Sequence, residues 1–401
     1  MLSLGSEGDP APACERHVTM LAVHKADLRA LFPVTRNLIY LNHAAVGPLS
    51  TRALEAVEHH ARDQRDFGAL HWREWYAEHA AAHESAARLL GCTAKEIAII
   101  KNTSEGISFV AEGLRWRSGE NAVTTDLEFP SNSTPWRRLE RRGVETRVAR
   151  SRDGRVGVAE IEPLLDARTR IVSVSSVAFH NGFAADLDAI GDLCASRNIL
   201  FCVDAIQSAG VLPIDVRRLK ISFLAADGHK WLCSLEGAGI FFIAEQCLEE
   251  LEVLENGWTN FDRKGKFLDC ATDLWPDARR FEAGSLNTNG ISSLRAAIDL
   301  LLELGIENVR DEVLRLATRM ADGLESIGWT VRTPRPIASG IVGATPPGLD
   351  AGANTKQLLD WHLRLEQAGV VCAPREGMLR FAPHCYNDDA EIDAVVDILS
   401  R

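Results

Sequence analysis

Two segments of the chain place polar side chains directly after short apolar runs. One run ends at Asp204, with Gln207 one helical turn later, and a second is followed, after a glycine turn, by His229 and Lys230. In an open α/β sheet the ligand crevice lies beyond the carboxyl ends of the strands, where such residues would meet. An acid, an amide, an imidazole and an amine at that edge are candidates for ligand binding, proton transfer and nucleophilic attack.

Each segment by itself is a weak indication of a site. An acid after a strand is most often a helix cap or turn residue, and a lone strand-end lysine is usually a solvated surface residue. At this separation, and with Gly237-Ala238-Gly239 following, the two segments together are much more specific. They resemble the class V aminotransferase family of fold-type-I pyridoxal-phosphate enzymes, which includes cysteine desulfurases, selenocysteine lyases and isopenicillin N epimerase-like proteins. The resemblance extends over about residues 38–395.

The resemblance implies a role for these residues toward pyridoxal 5'-phosphate. Lys230 would form the Schiff base with the cofactor and would later move the Cα proton of the substrate. Asp204 would face the pyridine nitrogen and keep it protonated, so that the ring accepts electrons from Cα. Gln207 would donate a hydrogen bond to the phenolic oxygen of the cofactor.

The phosphate of the cofactor has its own sequence signature. Thr103 and Ser104 lie in the segment Lys-Asn-Thr-Ser-Glu-Gly, at a predicted strand-to-helix turn with free backbone N–H groups. A simple helix N-cap is the alternative, but the segment coincides with the phosphate-binding turn of the family, and His229 would be a further contact. Ser285 matches a family position whose hydroxyl reaches the phosphate of the neighbouring subunit. The resemblance therefore implies a homodimer with shared active sites.

The substrate end of the site is assigned to Arg380. It lies in Leu-Arg-Phe-Ala-Pro-His-Cys-Tyr-Asn, which looks like the carboxylate-binding arginine of the family and the Tyr-Asn turn that follows it. A guanidinium binds a carboxylate with two hydrogen bonds and so determines which Cα bond stands perpendicular to the cofactor ring. Without that match, a surface ion pair would be the preferred interpretation. Asn42 and His43 belong to an N-terminal loop that borders the substrate in related enzymes, and they are further substrate-binding candidates.

Several residues depart from the family pattern. Phe129 stands where desulfurases carry a histidine that stacks on the cofactor and transfers protons, and a phenyl ring can only stack. Cys372 follows an apolar run and is predicted to be a strand thiol rather than the loop nucleophile of desulfurases. Asp227 stands where related lyases place a hydroxyl near the phosphate, so we expect it to be paired, to point away, or to cap the turn at Gly228. Phe179 replaces a polar substrate contact.

These features predict an enzyme that forms an external aldimine with a small amino-acid substrate and labilises a bond at Cα. Lyase chemistry, such as C–S cleavage by α,β-elimination, and aminotransferase chemistry rank equally; epimerisation ranks below them and cysteine desulfuration last. A non-catalytic cofactor carrier is the alternative from another class, but a carrier has no need of a carboxylate clamp at Arg380. A metal-dependent hydrolase would rest on His79 and His83, which share a helix face but have no obvious third ligand, so no metal is predicted.

These residues require a sheet with crossover helices to position them. Short apolar strands alternate with helices over residues 97–243, which predicts a large domain of the α/β class with a mostly parallel central sheet. A long helix ending at Leu304 and another over 309–327 begin a smaller α+β domain. We predict a disordered extension over 1–25, a large cofactor-binding domain over 60–289, and a small domain formed by 26–59 together with 290–401.

Composition limits the partners. A formal net charge of −12 disfavours nucleic acid or an anionic membrane as the main partner, because both require a basic surface. Nine cysteines, an odd number without a C-x-x-C pair, indicate reduced thiols and a cytoplasmic location. No apolar stretch approaches the roughly 20 residues needed to span a bilayer. A small-molecule substrate is therefore favoured.

Overall fold

The computed structural model describes residues 25–262, 268, 273–349 and 356–401. The extension predicted over residues 1–25 lies outside the described residues except for Lys25, which begins the first helix. Among the described residues, no helix is both long enough and apolar enough to cross a membrane.

The described part of the chain alternates helices and strands. Its α-helices are α1 (Lys25–Ala30), α2 (Thr51–Phe67), α3 (Trp72–Leu90), α4 (Thr103–Gly113), α5 (Thr134–Arg138), α6 (Val158–Ile161), α7 (Leu187–Ser196), α8 (Thr288–Leu304), α9 (Ile306–Ser326), α10 (Lys356–Gln367) and α11 (Asp389–Leu399). Its strands are β1 (Ile39–Tyr40), β2 (Ile97–Ile100), β3 (Asn121–Thr125), β4 (Glu145–Ala149), β5 (Thr169–Ser175), β6 (Leu200–Asp204), β7 (Phe223–Asp227), β8 (Gly239–Ile243), β9 (Thr330–Val331), β10 (Val342–Thr345), β11 (Val370–Val371), β12 (Ala373–Arg375) and β13 (Met378–Phe381). Short 3-10 helices cover Pro33–Arg36, Ala94–Glu96, Pro130–Asn132, Leu139–Arg142, Glu162–Leu164, Glu245–Glu250 and Ala278–Phe281.

The central sheet has seven strands in the order β2-β8-β7-β6-β5-β3-β4. Strands β4, β3, β5, β6 and β7 pair in parallel, whereas β8 runs antiparallel to both of its neighbours. Every residue of β2, β3, β7 and β8 is buried, which is the pattern of strands covered by helices on both faces. The predicted α/β class and mostly parallel sheet are confirmed.

The ends of the parallel strands determine where the polar side chains meet. β6 ends at Asp204 and the neighbouring β7 ends at Asp227, so both acids lie at the same edge of the sheet. Helix α4 begins at that edge because the side chain of Asn102 accepts a hydrogen bond from the Glu105 N–H at 3.0 Å and so caps the helix. The sheet thus brings a helix N-terminus beside two strand-end carboxylates.

A second hydrophobic core lies under a four-stranded antiparallel sheet of order β12-β13-β10-β9. Side chains from α9, α10 and α11 fill it, and β1 joins this part of the chain by pairing in parallel with β11. Helix α8 instead packs against α2 and α3, and its buried side chains belong to the larger core around the central sheet. The domain ranges, 60–289 and 26–59 with 290–401, stay a prediction.

Candidate active site

A cavity of about 350 Å³ opens at the carboxyl ends of β6 and β7. It is lined by Ala44, Ala45, Val46, Asn102, Thr103, Ser104, Phe129, Ser131, Phe179, Asp204, Ile206, Gln207, Asp227, His229, Lys230, Arg375 and Arg380. The cavity therefore collects all of the predicted cofactor-binding residues except Ser285, together with the predicted substrate-binding Arg380.

Lys230 follows β7 through a tight turn. Glycine is required at position 228 because a Cβ there would lie 2.8 Å from the carbonyl oxygen of Ala238. Burial lowers the pKa of Lys230 to about 8, while the carboxylate of Asp204 acts in the opposite direction. More of the amine is therefore unprotonated near neutrality than in an exposed lysine, as a nucleophile requires.

Asp204 is a buried carboxyl group whose charge is only partly compensated. One oxygen accepts a hydrogen bond from the Ile206 N–H at 3.0 Å. Burial raises the pKa of Asp204 to about 7, because this N–H and the charge of Lys230 offset only part of the desolvation. A cationic ring nitrogen in the cavity would supply the missing partner, so this residue fits a pyridinium.

The first turn of α4 forms a second polar wall. The buried Thr103 hydroxyl accepts a hydrogen bond from the Asp227 N–H at 3.0 Å, so its own proton is left to donate. The hydroxyls of Ser104 and Ser131 lie 2.7 Å apart. Two hydroxyls beside a helix N-terminus form the kind of site that binds a phosphate.

Asp227 lies beside this wall and is paired with His229. Its Oδ2 lies 2.9 Å from His229 Nδ1, which is an ion-pair distance, although the two groups form no hydrogen bond. The alternative of capping the turn at Gly228 is wrong, because the Gly228 N–H already donates to the carbonyl oxygen of Ala238 at 3.0 Å. A protonated imidazole at this position would offset the repulsion between the carboxylate and a bound phosphate.

Two hydrogen bonds hold the side-chain amide of Gln207. Its nitrogen donates to the carbonyl oxygen of Ala44 at 3.0 Å, and its oxygen accepts from the indole N–H of Trp231 at 2.7 Å. The nitrogen carries two hydrogens, so one remains available for a ligand in the cavity.

Arg380 is buried in the middle of β13, with only 2% of the residue exposed. Its Nη1 donates to the carbonyl oxygen of Phe179 at 2.6 Å, whereas Nε and Nη2 have no partner. Burial and the nearby charge of Arg375 lower the pKa of Arg380 to about 9. A buried guanidinium with two open nitrogens requires an anion, so the alternative of a surface ion pair is wrong.

Asn42 and His43, the two other substrate-binding candidates, do not line the cavity. The ring of His43 is fully buried, with Nδ1 2.8 Å from the carbonyl oxygen of Ala382 and Nε2 2.7 Å from the hydroxyl of Tyr386. Asn42 forms a backbone bridge to Ala382. The loop is tied down by these contacts and reaches the cavity only from Ala44 onward, so the expectation that these two side chains border the substrate is corrected.

Two phenyl rings line the cavity beside the charged groups. Phe129 and Phe179 meet edge to face, with ring centroids 5.1 Å apart and an interplanar angle of 76°. Lys230 Nζ lies 5.6 Å from the centroid of the Phe129 ring. Phe129 is 42% exposed, so part of its side chain is accessible from the solvent.

Arg375, which is not among the residues predicted from the sequence, also lines the cavity. β12 and β13 form a hairpin whose turn residues, Glu376 and Gly377, have φ angles of 46° and 75°. Two residues at positive φ are typical of a type I′ hairpin turn. The Glu-Gly pair between two short strands is the signal that could have placed Arg375 and Arg380 together.

Ser285 lies elsewhere on the chain. It is exposed and lines a separate cavity of about 740 Å³, together with Trp72, Tyr76 and Trp258. Its predicted contact with a neighbouring subunit stays a prediction.

His79 and His83 do have a third potential ligand, contrary to the sequence-based expectation. The carboxylate of Glu282 lies 3.2 Å from His79 Nε2 and 2.7 Å from His83 Nε2, and the three ligand atoms lie within 4.8 Å of one another. The sequence could not show this because Glu282 is 199 residues from His83. The same carboxylate accepts a hydrogen bond from the Ile99 N–H at 2.6 Å, so the trio joins α3 to β2.

Comparison with known proteins accounts for this arrangement. The family model described as aminotransferase class-V matches residues 39–395. The chain belongs to that family. Class V aminotransferase-family enzymes use pyridoxal phosphate, so the predicted cofactor and enzyme class are confirmed.

Other members of the class V aminotransferase family are similar over nearly their whole length. A "probable cysteine desulfurase" of Methanothermobacter thermautotrophicus is 32% identical over 95% of this chain and 99% of its own. Isopenicillin N epimerase of Streptomyces clavuligerus is 30% identical over 90% of this chain and 94% of its own. Among solved structures, apo cysteine desulfurase of Thermococcus onnurineus superposes with a TM-score of 0.85 at 24% identity, covering 94% of this chain and 97% of that one. This likeness confirms the fold-type-I architecture.

Proposed function

We propose that this enzyme binds a small amino acid through Arg380 and breaks a bond at Cα, with Lys230 as the group that moves the proton. The observation that carries the proposal is the presence, in one cavity, of the Lys230 amine, the buried Asp204 carboxyl group and two unpartnered nitrogens of Arg380. Bound pyridoxal phosphate supplies the sink for the electrons left at Cα.

Each wall of the cavity fits one part of the cofactor. Asp204 would pair with the ring nitrogen, and Gln207 would donate its free N–H to the phenolic oxygen. Thr103, Ser104 and His229 would hold the phosphate at the first turn of α4. Phe129 would stack on the ring. Lys230 would bind the cofactor covalently.

The side chains favour a reaction with a single base. Besides Lys230 and the two arginines, the titratable groups that line the cavity within the described chain are Asp204 and His229, which are assigned to the cofactor, and Asp227, which lies beside His229. Phe129 and Phe179 line the cavity and cannot accept a proton. Elimination and transamination can proceed with one base, whereas epimerisation requires proton transfer on both faces of Cα. Lyase or aminotransferase chemistry is therefore favoured, with epimerisation second.

Cysteine desulfuration through Cys372 is disfavoured. Cys372 is buried and does not line the cavity. Burial raises the pKa of its thiol to about 12, so the reactive thiolate is rare near neutrality. C–S cleavage by elimination therefore fits these residues better than transfer of sulfur to a protein thiol.

A homodimer with shared active sites is part of the proposal. Phe67, Leu70, Trp72, Tyr76 and Trp258 are all exposed, and the last three line the same cavity as Ser285. Large apolar side chains clustered in this way mark a protein interface. Light scattering should give the mass of two chains, and Ser285→Ala should weaken cofactor binding without dissociating the dimer.

We also propose a cytoplasmic location. The seven cysteines among the described residues are free, and none of them is exposed. Free thiols are typical of proteins in a reducing compartment.

The test is the absorbance of the purified protein in the near-ultraviolet and visible range during titration with amino acids. We expect a cofactor band that shifts with particular amino acids and is lost in Lys230→Ala, whereas Lys95→Ala, a change at an exposed lysine, keeps it. Products then distinguish the reactions: pyruvate and ammonia from cysteine indicate elimination, and amination of an added 2-oxo acid indicates transamination. A protein that takes up no pyridoxal phosphate would overturn the proposal.

A further inference from the structure

The hairpin of β12 and β13 carries two arginines on one face. Ala373 pairs with Arg380, and Arg375 pairs with Met378. Directly paired residues and residues two apart along a strand share a face, so Arg375 and Arg380 are diagonal neighbours. Both guanidinium groups line the cavity that contains Lys230.

Arg375 has no counter-charge in the described part of the chain. Its Nη1 donates to the carbonyl oxygen of Pro374 at 2.8 Å, and no carboxylate lies within ion-pair distance of it. Its charge lowers the pKa of both Lys230 and Arg380, so it adds positive potential to a site that is already cationic. Half-burial of an unpaired guanidinium is unfavourable unless a ligand supplies an anion.

The other charges of the site are already matched. The cofactor phosphate belongs at the first turn of α4, with Thr103, Ser104 and His229, and Asp204 is matched by the ring nitrogen. The two open nitrogens of Arg380 suit the α-carboxylate of an amino acid. Once these pairs are made, the guanidinium of Arg375 is the cation left over at the substrate end.

We infer that the substrate is an amino acid whose side chain ends in a second anionic group, such as a carboxylate or a sulfinate, and that Arg375 binds this group. The inference rests on the proposed function, because it takes Arg380 as the α-carboxylate site. A neutral side chain would cover Arg375 without pairing it, whereas an acidic one would form charge-assisted hydrogen bonds.

The first test compares amino acids that have the same shape and differ in charge. The concentration that gives half of the spectral change is measured for aspartate against asparagine and for glutamate against glutamine. In at least one of these pairs, the acid should bind at least about tenfold more tightly than its amide. Arg375→Gln should remove that preference, and it should leave the half-saturating concentration of each amide within about twofold of the wild-type value. Arg332→Gln, at an exposed arginine outside the cavity, should match the wild-type protein.

A second test needs no reaction at the cofactor. The thermal unfolding midpoint of the cofactor-free protein is measured with succinate and with butyrate at equal ionic strength. Succinate should raise the midpoint more than butyrate, because it offers a carboxylate to each arginine. Arg375→Gln should abolish the difference.

Three outcomes would overturn the inference: amides that bind as well as acids in the wild-type protein, an Arg375→Gln variant that weakens acids and amides equally, or one that changes neither. Equal weakening would place Arg375 in the α-carboxylate clamp, and no change would indicate a counter-charge from elsewhere in the assembly. If no amino acid shifts the spectrum although succinate still stabilises the protein through Arg375, the proposed function fails and the anion site stands.

Discussion

His83 and Glu282 are 199 residues apart in sequence, yet His83 Nε2 lies 2.7 Å from a carboxylate oxygen of Glu282 in the protein interior. His83 Nδ1 lies 2.8 Å from the carbonyl oxygen of His79, so this nitrogen carries the donating hydrogen. The other nitrogen must then be protonated to donate to the carboxylate. The pair is a buried imidazolium and carboxylate that connects α3 to the segment following Phe281.

Glu282→Gln should destabilise the fold by about 3 kcal/mol, because it leaves the imidazole of His83 buried without its anion. Chemical denaturation followed by fluorescence measures the free energy of unfolding. Glu84→Gln, at an exposed neighbour of His83, should change it by less than about 0.5 kcal/mol. Equal stability of the two variants would show that the buried pair contributes nothing.

The stability difference between the wild type and Glu282→Gln should depend on pH. Burial opposes ionisation of Glu282, but the charges and hydrogen bonds of His83 and His79 together outweigh burial and lower the pKa of Glu282 from 4.5 to about 2. The stabilisation from Glu282 is therefore lost as pH falls below 4.5 toward 2. Burial opposes ionisation of His83, but the charge and hydrogen bond of Glu282 and the carbonyl oxygen of His79 together outweigh burial and raise the pKa of His83 above 6.5. The stabilisation from His83 is therefore complete below pH 6.5 and is lost as pH rises through the raised pKa. Denaturation at several pH values should give the largest difference between 4.5 and 6.5, and a flat profile would contradict the ion pair.

Cofactor uptake should report the protonation of Lys230. The unprotonated amine reacts, so the rate at which cofactor-free protein binds pyridoxal phosphate should fall about tenfold for each unit of pH below the lysine pKa of about 8. Asp204 raises that pKa, so Asp204→Asn should shift the profile to lower pH. Asp192→Asn, a surface change, should leave the profile in place. A profile identical in all three proteins would show that Asp204 and Lys230 are not coupled.

Arg380→Gln should lower kcat/KM for the amino-acid substrate by about 30-fold to 1000-fold, because a desolvated charge pair is lost. Steady-state kinetics with the amino acid and with its α-amide measure this effect. The wild-type enzyme should prefer the acid strongly, and the variant should not discriminate. Retention of the preference in Arg380→Gln would assign the α-carboxylate to another group.

Cys372→Ala should leave any release of sulfide from cysteine within about twofold of the wild-type rate, because a buried thiol with a pKa of about 12 is not a nucleophile. Sulfide release and pyruvate formation are measured together. Loss of sulfide release in this variant, with its fold intact by circular dichroism, would revive cysteine desulfuration.

Residues near one another in sequence could be placed without the structure. The apolar runs before Asp204 and Lys230 are strands because such runs, bounded by turns and alternating with helices, form a parallel sheet, and the ends of parallel strands converge. The apolar pattern predicts one helix over Leu187–Ser196, which α7 matches, and another that begins at Glu105. Helix α4 instead begins two residues earlier, at Thr103, because the side chain of Asn102 provides the cap.

The sequence by itself therefore determined the α/β sheet and the family, and it placed Lys230, Asp204 and the proposed phosphate-binding turn at one edge of that sheet, because all of these depend on local pattern and family motif. Only the tertiary structure decided which side chains meet across long separations. His43 is withdrawn from the cavity by Tyr386, 343 residues away, and Glu282 joins His83 across 199 residues. Arg375 reaches the cavity only because a hairpin turns it onto the face of Arg380. Such contacts arise from packing between distant segments, which no local periodicity encodes.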